Sequence, residues 1–203
     1  MQAKVEKLFV KHKTDDAMSG VKSIVIKNFK IVGQKETQPF RTCLLVSREQ
    51  ASLFGCKAGD FRENIFSSGF DLQSLCTGDE IRIGDIFARV TFDCEPCDKI
   101  SHVASVSKLK GKRGVLIDFI NDGEIKIGDI FEKTKSQKFE HVPSEYYERI
   151  DWYLKNKLQG DIYAMDLLWN TGVSKGLVRV LPQIMKKHSM KNIEKVIFKK
   201  NIK

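Results

Sequence analysis

The front of the chain alternates apolar and polar residues with a period of two, which is typical of half-buried β-strands. This alternation, with many β-branched residues, predicts strands over residues 4–10 (KVEKLFV), 23–32 (SIVIKNFKIV) and 42–47 (TCLLVS). The polar stretch GQKETQPFR, which contains glycine and proline, separates the last two and predicts a loop. We therefore expect a sheet whose strands are joined by polar connections.

A short helix is predicted directly after the third of these strands, in SREQASLFG. Ser47 is placed to act as its N-cap, because a serine hydroxyl can accept from an unpaired amide of the first turn. Gln50 follows three residues later and completes a capping-box pattern. The helix is therefore expected to begin immediately after Ser47.

The segment EIRIGDIFARVTF predicts a β-hairpin with one face toward a core. Its isoleucines alternate with charged residues, and Gly84 and Asp85 form the turn. A near copy follows, since GEIKIGDIFEK at 123–133 repeats DEIRIGDIFAR at 79–89. We expect two strand–turn–strand units with the same local geometry in one sheet or barrel, with chance similarity between two common hairpins as the alternative.

The pattern changes to helical spacing after residue 134. Ser144 is a candidate N-cap for the first helix, Gly160 a stop after it, and Pro182 a break or kink in the last. The three predicted helices lie in SEYYERIDWYLKNKLQG, DIYAMDLLWNTG and VSKGLVRVLPQIMKKHS. We therefore divide the chain into a mainly β domain, residues 1–134, and a helical C-terminal extension, residues 135–203.

Composition limits the class of protein. Of the 203 residues, 41% are hydrophobic and 30% charged, which is typical of a globular domain. The apolar runs are short and interrupted by lysine or arginine, and the N-terminus lacks the apolar segment of a secretory signal, so we expect a cytoplasmic protein without a membrane segment. Five cysteines without a framework spacing predict reduced thiols.

Most of the net charge of +9 lies in the extension, which contains 14 basic and 7 acidic residues. LLWNTGVSKGLVRVLPQIMKKH resembles a helix-turn-helix, in which Lys175, Arg179, Lys186 and Lys187 could contact phosphates. Pro182 falls inside the would-be recognition helix, however, and a lysine-rich end is usually a solvated face. We therefore favour a helical appendage or a subunit contact over binding to nucleic acid.

The stretch CEPCDKI, residues 94–100, carries two cysteines around a proline after a predicted strand. A structural zinc site needs four ligands, and the chain has no second C-x-x-C or H-x-x-x-H, so the zinc alternative is a half site completed by His102 or a distant cysteine. A redox pair, with Cys94 as a resolving thiol, and a buried structural cysteine are further alternatives. Cys97 could also be a reactive thiolate, because Pro96 restricts the backbone before it and Lys99 would favour the charged form.

Several segments, in the same order, resemble the MOSC domain, the family named for the C-terminal part of molybdenum cofactor sulfurase. The central one is GDFRENIFSSGFDLQSLCTGDEIRIGD at 59–85, and the others are KVEKLFV, FRTCLLVSREQ, CEPCDKI and KRGVLIDFINDGEIKIGD. The resemblance runs from about residue 2 to residue 134. It implies a mainly β (α+β) fold, a MOSC-type β-barrel, followed here by the helical extension.

The resemblance also implies a function. Members of the family are associated with the molybdenum cofactor (molybdopterin); some reduce N-hydroxylated compounds through a cysteine that ligates molybdenum, and sulfur carriage on that cysteine is another proposed role. Cys97 takes the place of this cysteine, so it is the expected metal ligand and catalytic residue. The partners would be an anionic pterin and an electron-donor or cofactor-synthesis protein. The alternative is a non-enzymatic cofactor or sulfur carrier.

An anionic pterin phosphate needs fork-shaped cations and amide donors around it. The matched motifs supply them, and the expected cofactor-binding residues are Arg41, Arg62, Asn64, Lys99 and Arg113. One position departs from the family, because Gln34 in GQKE stands where many members have an acidic residue, and no histidine follows. If that loop handles substrate, we expect an altered or lost activity.

Overall fold

The structure is a computed structural model that describes residues 3–13 and 17–198, apart from the side chains of residues 135–138. Its contacts divide the chain into two compact units. The first unit comprises Met1–Thr37 and Arg41–His141, and the second comprises Gln38–Phe40 and Val142–Lys203. The first is built from strands and the second mainly from helices.

The strands, in chain order, are β1 (Lys4–Val10), β2 (Ser19–Val21), β3 (Ser23–Lys27), β4 (Lys30–Ile31), β5 (Cys43–Ser47), β6 (Ile65–Ser68), β7 (Asp79–Ile83), β8 (Ile86–Asp93), β9 (Val115–Phe119), β10 (Gly123–Lys126), β11 (Phe131–Lys138), β12 (Ile162–Tyr163) and β13 (Val196–Ile197). In the first unit, eight strands form a sheet in the order β11-β7-β8-β9-β5-β6-β1-β2. Only the β5–β6 pair of this sheet is parallel among the described residues. A smaller antiparallel sheet has the order β10-β3-β4.

The large sheet curls until its two ends meet. Val5 donates to the carbonyl of Asp129 at 2.9 Å, and Phe131, which begins β11, donates to the carbonyl of Ala3 at 3.0 Å. The start of β1 is thereby bonded to the chain that leads into β11, although these strands lie near opposite ends of the strand order. This partial closure leaves β2 as an edge strand and gives the unit a barrel-like form.

The core lies inside the curl and follows the predicted alternation. In β3, Ile24 and Ile26 are buried and Val25 between them is exposed, as expected for a strand with one face toward the core. Every residue of β5 is buried, because this strand lies in the middle of the sheet and is covered on both faces. The predicted strands at 4–10 and 42–47 are therefore confirmed to within one residue.

The predicted strand over residues 23–32 is a hairpin instead. β3 and β4 pair antiparallel around Asn28 and Phe29, whose φ angles are 51° and 61°. Two left-handed residues are what a tight two-residue hairpin requires, and glycine usually supplies the second. Phe29 takes this second position, so the sequence lacks the glycine that would have predicted the turn.

The repeat gives one hairpin rather than two. β7 and β8 pair with each other as predicted. The second prediction was wrong, because β10 pairs with β3 in the small sheet and β11 pairs with β7 in the large one. Between them Gly128 donates to the carbonyl of Val5 at 2.8 Å, so the second copy carries the chain from one sheet to the other.

The helices are α1 (Arg48–Ser52), α2 (Val106–Leu109), α3 (Tyr146–Asn156), α4 (Ala164–Asn170) and α5 (Leu181–Lys187). The capping box of α1 is confirmed, since Gln50 donates its amide to Ser47 Oγ at 3.1 Å and accepts the Ser47 amide at 3.4 Å. α5 begins at Leu181, and Pro182 lies in its first turn, where the missing amide hydrogen costs nothing.

The predicted N-cap of α3 was wrong. The cap is Glu145, and its side chain makes no capping hydrogen bond. The carbonyl of Ser144 instead accepts from Arg149 Nη1 at 2.7 Å, and Arg149 also bonds the carbonyls of Pro143 (2.9 Å) and Thr171 (2.7 Å). A buried guanidinium therefore ties down the entry to α3. Among the described residues, no helix has both the length and the apolar character to cross a bilayer.

Candidate functional site

The loop after β8 holds the two cysteines of CEPCDKI. Cys94 is buried and Cys97 is exposed, and both are free thiols. The Cys94 amide donates to the carbonyl of Gly114 at 2.9 Å, which ties the start of the loop to the start of β9. A 3-10 turn, Asp98–Ile100, follows Cys97, and its buried Ile100 anchors the end of the loop. Cys97 is thus presented to solvent from a loop held at both ends.

Arg113 reaches the exposed sulfur. Its Nη1 lies 3.4 Å from Cys97 Sγ and donates to the carbonyl of Glu95 at 2.6 Å, while Nη2 lies 3.4 Å from the carbonyl of Phe61. The side chain is largely buried, and its Nε has no hydrogen-bond partner among the described residues. A planar guanidinium held by two carbonyls is therefore fixed against the sulfur.

Glycine at position 114 allows Arg113 to take this place. Gly114 has a φ of 97°, and a Cβ there would lie 2.3 Å from the carbonyl oxygen of Leu45. Only glycine accommodates both the left-handed angle and so close an approach to the neighbouring strand. The KRG segment thus sets the direction in which Arg113 leaves the backbone.

Arg41 approaches the same loop from the start of β5. It forms an ion pair with Glu95, and its guanidinium carbon lies 5.3 Å from the centre of the Phe92 ring. Both members of the pair are half-buried. Glu95 thus meets Arg41 through its carboxylate and Arg113 through its carbonyl, which brings two cations to one cysteine loop.

Asn64 has a different place. Its Oδ1 accepts from the amide of Leu44 at 3.1 Å, and its Nδ2 donates to the carbonyl of Phe9 at 3.1 Å and to Gln34 Oε1 at 2.5 Å. The buried asparagine joins the backbone of β1 and β5 to the side chain of Gln34. It therefore shapes the frame behind the loop.

The remaining two predicted residues flank this arrangement. Arg62 is half-buried in the turn that precedes Asn64, at a left-handed φ of 62°. Lys99 is exposed in the 3-10 turn after Cys97. The structure thus gathers Arg41, Arg113 and Cys97 around Glu95. No group of three or more His, Cys, Asp or Glu side chains in the described ranges is arranged to hold a metal ion.

The two cysteines of the loop differ in environment. Burial raises the pKa of the Cys94 thiol, and the charges of Arg113 and Arg41 offset only part of that effect. A buried thiol of raised pKa is poorly nucleophilic at neutral pH. The exposed Cys97, beside a guanidinium, is the chemically accessible sulfur of the pair.

Glu63 is a second buried ionisable group, at the base of the turn that carries Arg62. Its Oε1 accepts from the amide of Gly59 at 2.5 Å, and its Oε2 has no hydrogen-bond partner among the described residues. Burial raises the pKa of Glu63, because desolvation outweighs the backbone hydrogen bonds that favour the carboxylate. This carboxyl group organises the turn whose Phe61 carbonyl meets Arg113.

Sequence reasoning missed Glu95, Glu63 and the carbonyl of Phe61. Glu95 lies inside the cysteine motif, so an acidic residue between two cysteines was the available signal. Nothing in the sequence marks a backbone carbonyl as an acceptor, because its direction is set by the turn that contains it.

The family model of the MOSC domain matches residues 38–132. No curated protein matches the sequence. Among solved structures, the chain is similar to the YuaD protein from Bacillus subtilis, with a TM-score of 0.55 and 19% identity over 64% of this chain and 94% of that one. It is similar to YiiM from Geobacillus stearothermophilus, with a TM-score of 0.53 and 16% identity over 66% and 75%. For YiiM from Escherichia coli the TM-score is 0.52 and the identity 16%, over 97% and 99%.

At these identities the likeness to solved structures shows a common fold. The curled eight-stranded sheet and the likeness confirm the predicted α+β fold with a MOSC-type, barrel-like sheet. The match to the family model identifies which residues of the chain carry the MOSC sequence pattern. Residues 38–132 are therefore identified as a MOSC domain, a domain whose family is linked to the molybdenum cofactor.

Proposed function

We propose that this chain binds the molybdenum cofactor, with Cys97 as the ligand to the metal, and uses it to reduce N-hydroxylated compounds or to transfer sulfur to the cofactor. The observation that carries the proposal is the 3.4 Å contact between Arg113 Nη1 and the exposed sulfur of Cys97. A thiolate is a soft ligand that suits a metal already bound by sulfur. An adjacent guanidinium is suited to the anionic oxygens of the pterin phosphate.

The residues present fit such a group in their donor chemistry. Cys97 offers one exposed sulfur, and Arg113 has a buried Nε without an acceptor among the described residues. Arg41 brings a second guanidinium to the loop through Glu95. When bound, the cofactor supplies the redox-active metal, while the chain supplies the ligand and the cations that orient the anion.

The reduction of an N-hydroxylated compound releases the hydroxyl oxygen as water and consumes electrons and protons. The electrons would come from a separate donor protein. In sulfur carriage, the Cys97 thiolate would instead attack the outer sulfur of a persulfide on a donor protein, so that the donor's S–S bond breaks, its thiolate leaves and a persulfide remains on Cys97, whose exposure suits that role equally. The two activities are distinguished by turnover, because only the reductase consumes substrate when an electron donor is supplied.

The test is to purify the chain from a host that makes the cofactor and to measure molybdenum, pterin and the mass of Cys97. We expect molybdenum to copurify with the wild-type chain and with the Cys76→Ser variant, whose cysteine is equally exposed, and to be lost in Cys97→Ser. Molybdenum retained at wild-type level in Cys97→Ser would refute the assignment of the ligand. Absence of both molybdenum and an adduct on Cys97 in the wild-type chain would refute the proposal as a whole.

Loaded protein is then assayed with an N-hydroxylated aromatic amine and a chemical electron donor. Turnover that is lost in Cys97→Ser would assign the reductase. A persulfide on Cys97 without turnover would assign sulfur carriage. The Arg113→Lys variant keeps the charge but loses the planar fork, so we expect lower cofactor occupancy at unchanged molybdenum supply.

A further inference from the structure

A pocket of about 470 Å³ lies on the first unit. Its size is within the range of small-molecule sites, about 300–1,000 Å³. Four apolar side chains and five polar or charged ones line it: Phe29, Phe119, Ile120, Phe139, Asn28, Lys30, Thr42, Arg89 and Asp118. Three of the apolar residues are phenylalanines, so the walls are suited to a flat ring.

Phe29 is held at the pocket in a costly conformation. It is 56% exposed and has a φ of 61°, although a non-glycine residue in the left-handed region loses about 1–2 kcal/mol. Its amide donates to Asp122 Oδ1 at 3.0 Å. Glycine is the usual residue at this position of a tight hairpin, so an exposed, strained aromatic ring there points to a use for the ring.

The floor of the pocket is a fixed polar network. Arg89 Nη2 donates to Asp118 Oδ2 at 3.0 Å, and Thr42 Oγ1 donates to Asp118 Oδ1 at 2.7 Å. The carboxylate of Asp118 is thus engaged through both oxygens. Lys30 also lines the pocket, so the lining residues include two cations and one anion.

The backbone of Phe139, another residue of the lining, is fixed as well. Phe139 donates its amide to the carbonyl of Gly78 at 2.8 Å, and Gly78 donates to the carbonyl of Val90 at 2.9 Å. A Cβ at Gly78 would lie 2.4 Å from the Phe139 carbonyl oxygen, which explains the glycine. The walls and floor of the pocket are therefore held by hydrogen bonds before any ligand arrives.

The pocket shares a face of the large sheet with Arg41. The Thr42 hydroxyl donates a hydrogen bond to Asp118. Two residues further along β5 and β9, about 7 Å from these two residues, Leu44 pairs with Leu116 on the same face. Leu116 also pairs with Phe92, whose ring lies beneath Arg41. The pocket is thus close to the cysteine loop but is built from different residues.

We propose that this pocket binds a small planar aromatic anion of the aryl carboxylate class. The ring lies between Phe29 and Phe139, and the carboxylate faces Lys30 and Arg89. Binding does not require the cofactor, so the proposal stands or falls independently of the assignment of Cys97.

The test is a titration of the purified full chain with 2-naphthoate, followed by saturation-transfer NMR. We expect saturable binding with a dissociation constant of about 1 mM or tighter. The Phe29→Gly variant removes the wall but gives the hairpin the residue its φ prefers, so we expect binding weaker by about tenfold or more with an unchanged or higher Tm. The neutral 2-naphthamide should bind more weakly than the acid, and Lys30→Gln should narrow that difference.

Val32→Ala is the matched control, because Val32 is an exposed apolar residue just beyond the same hairpin and does not line the pocket. This variant should bind 2-naphthoate as the wild type does. No saturable binding to the wild-type chain would overturn the proposal. Equal affinity of wild type and a folded Phe29→Gly chain, or of acid and amide, would overturn it as well.

Discussion

Asn64 and Gln34 are joined by a hydrogen bond of 2.5 Å from Nδ2 to Oε1. The same Gln34 side chain donates through Nε2 to the carbonyl of Thr42 at 3.0 Å. Thr42 lies next to Arg41 and bonds Asp118 through its hydroxyl group. One amide, which both accepts and donates, therefore connects the frame around Asn64 to the start of β5.

This double role explains why an amide suits position 34, where many family members have an acid. In Gln34→Glu, the carboxylate could still accept from Asn64 but could not donate to Thr42. A partly buried acceptor left without its donor costs about 1–3 kcal/mol. We therefore expect a lower free energy of unfolding at pH 7, measured by urea denaturation.

Protonation should rescue part of this loss. Below about pH 4 the new carboxyl group regains a hydrogen and can donate to Thr42, so the deficit relative to wild type should shrink. Gln73→Glu, at an exposed position, is the control and should change the stability little. A full deficit that persists at low pH, or none at pH 7, would contradict this role of Gln34.

Much of the fold was predictable because its signals are local. The alternation in residues 4–10 and the Ser47–Gln50 capping box are fixed by neighbours in sequence, and both are confirmed. The second copy of the repeat was mispredicted because pairing of β10 and β11 depends on strands far away in sequence. Nearly the same sequence therefore forms a hairpin at residues 79–89 and a connection between two sheets at residues 123–133.

The site divides in the same way. The matched motifs gave six candidate residues, and three of them, Cys97, Arg41 and Arg113, are gathered at the loop. The other three are Arg62, Asn64 and Lys99. The role of Glu95 was not predictable from the sequence. Its carboxylate pairs with Arg41 and its carbonyl accepts from Arg113, and both contacts depend on the fold. Asn64 stays a predicted cofactor-binding residue, and its hydrogen bonds to the backbone of Leu44 and Phe9 could not be read from the sequence.

Glu63 should make stability depend on pH. Burial raises its pKa in the folded chain above the unfolded value of about 4.3, so its protonated form favours folding and this contribution is lost as the pH rises. Glutamine does not ionise and keeps the acceptor for the Gly59 amide. The free energies of unfolding of wild type and Glu63→Gln should therefore be compared by urea denaturation at several pH values. We expect the variant to become more stable than the wild type by an amount that grows as the pH rises above about 4.3. A difference independent of pH would contradict the raised pKa.

Arg149 should dominate the stability of the helical unit. It is fully buried and donates to the carbonyls of Thr171, Pro143 and Ser144. In Arg149→Met these acceptors lose a charged donor, at a cost of about 3 kcal/mol or more. Both tryptophans lie in this unit, so their fluorescence should report a lower urea midpoint.

Arg179→Met is the control, because it removes the same charge from an exposed position. Its urea midpoint should stay within error of that of the wild type. Similar midpoints for the two variants would show that the buried guanidinium contributes little.

Gly114 should be far less replaceable than Gly111, although both have left-handed φ angles of 97° and 69°. A Cβ at position 114 would meet the Leu45 carbonyl oxygen at 2.3 Å and Val46 Cγ2 at 2.8 Å, whereas nothing lies within 4 Å at position 111. We expect Gly111→Ala to cost about 1 kcal/mol and Gly114→Ala about 3 kcal/mol or more in urea unfolding, because the second adds a steric clash to the backbone strain. Displacement of Arg113 should also change the alkylation rate of Cys97 in Gly114→Ala alone. Equal losses of stability in the two variants would mean that the approach of β5 does not hold Arg113 in place.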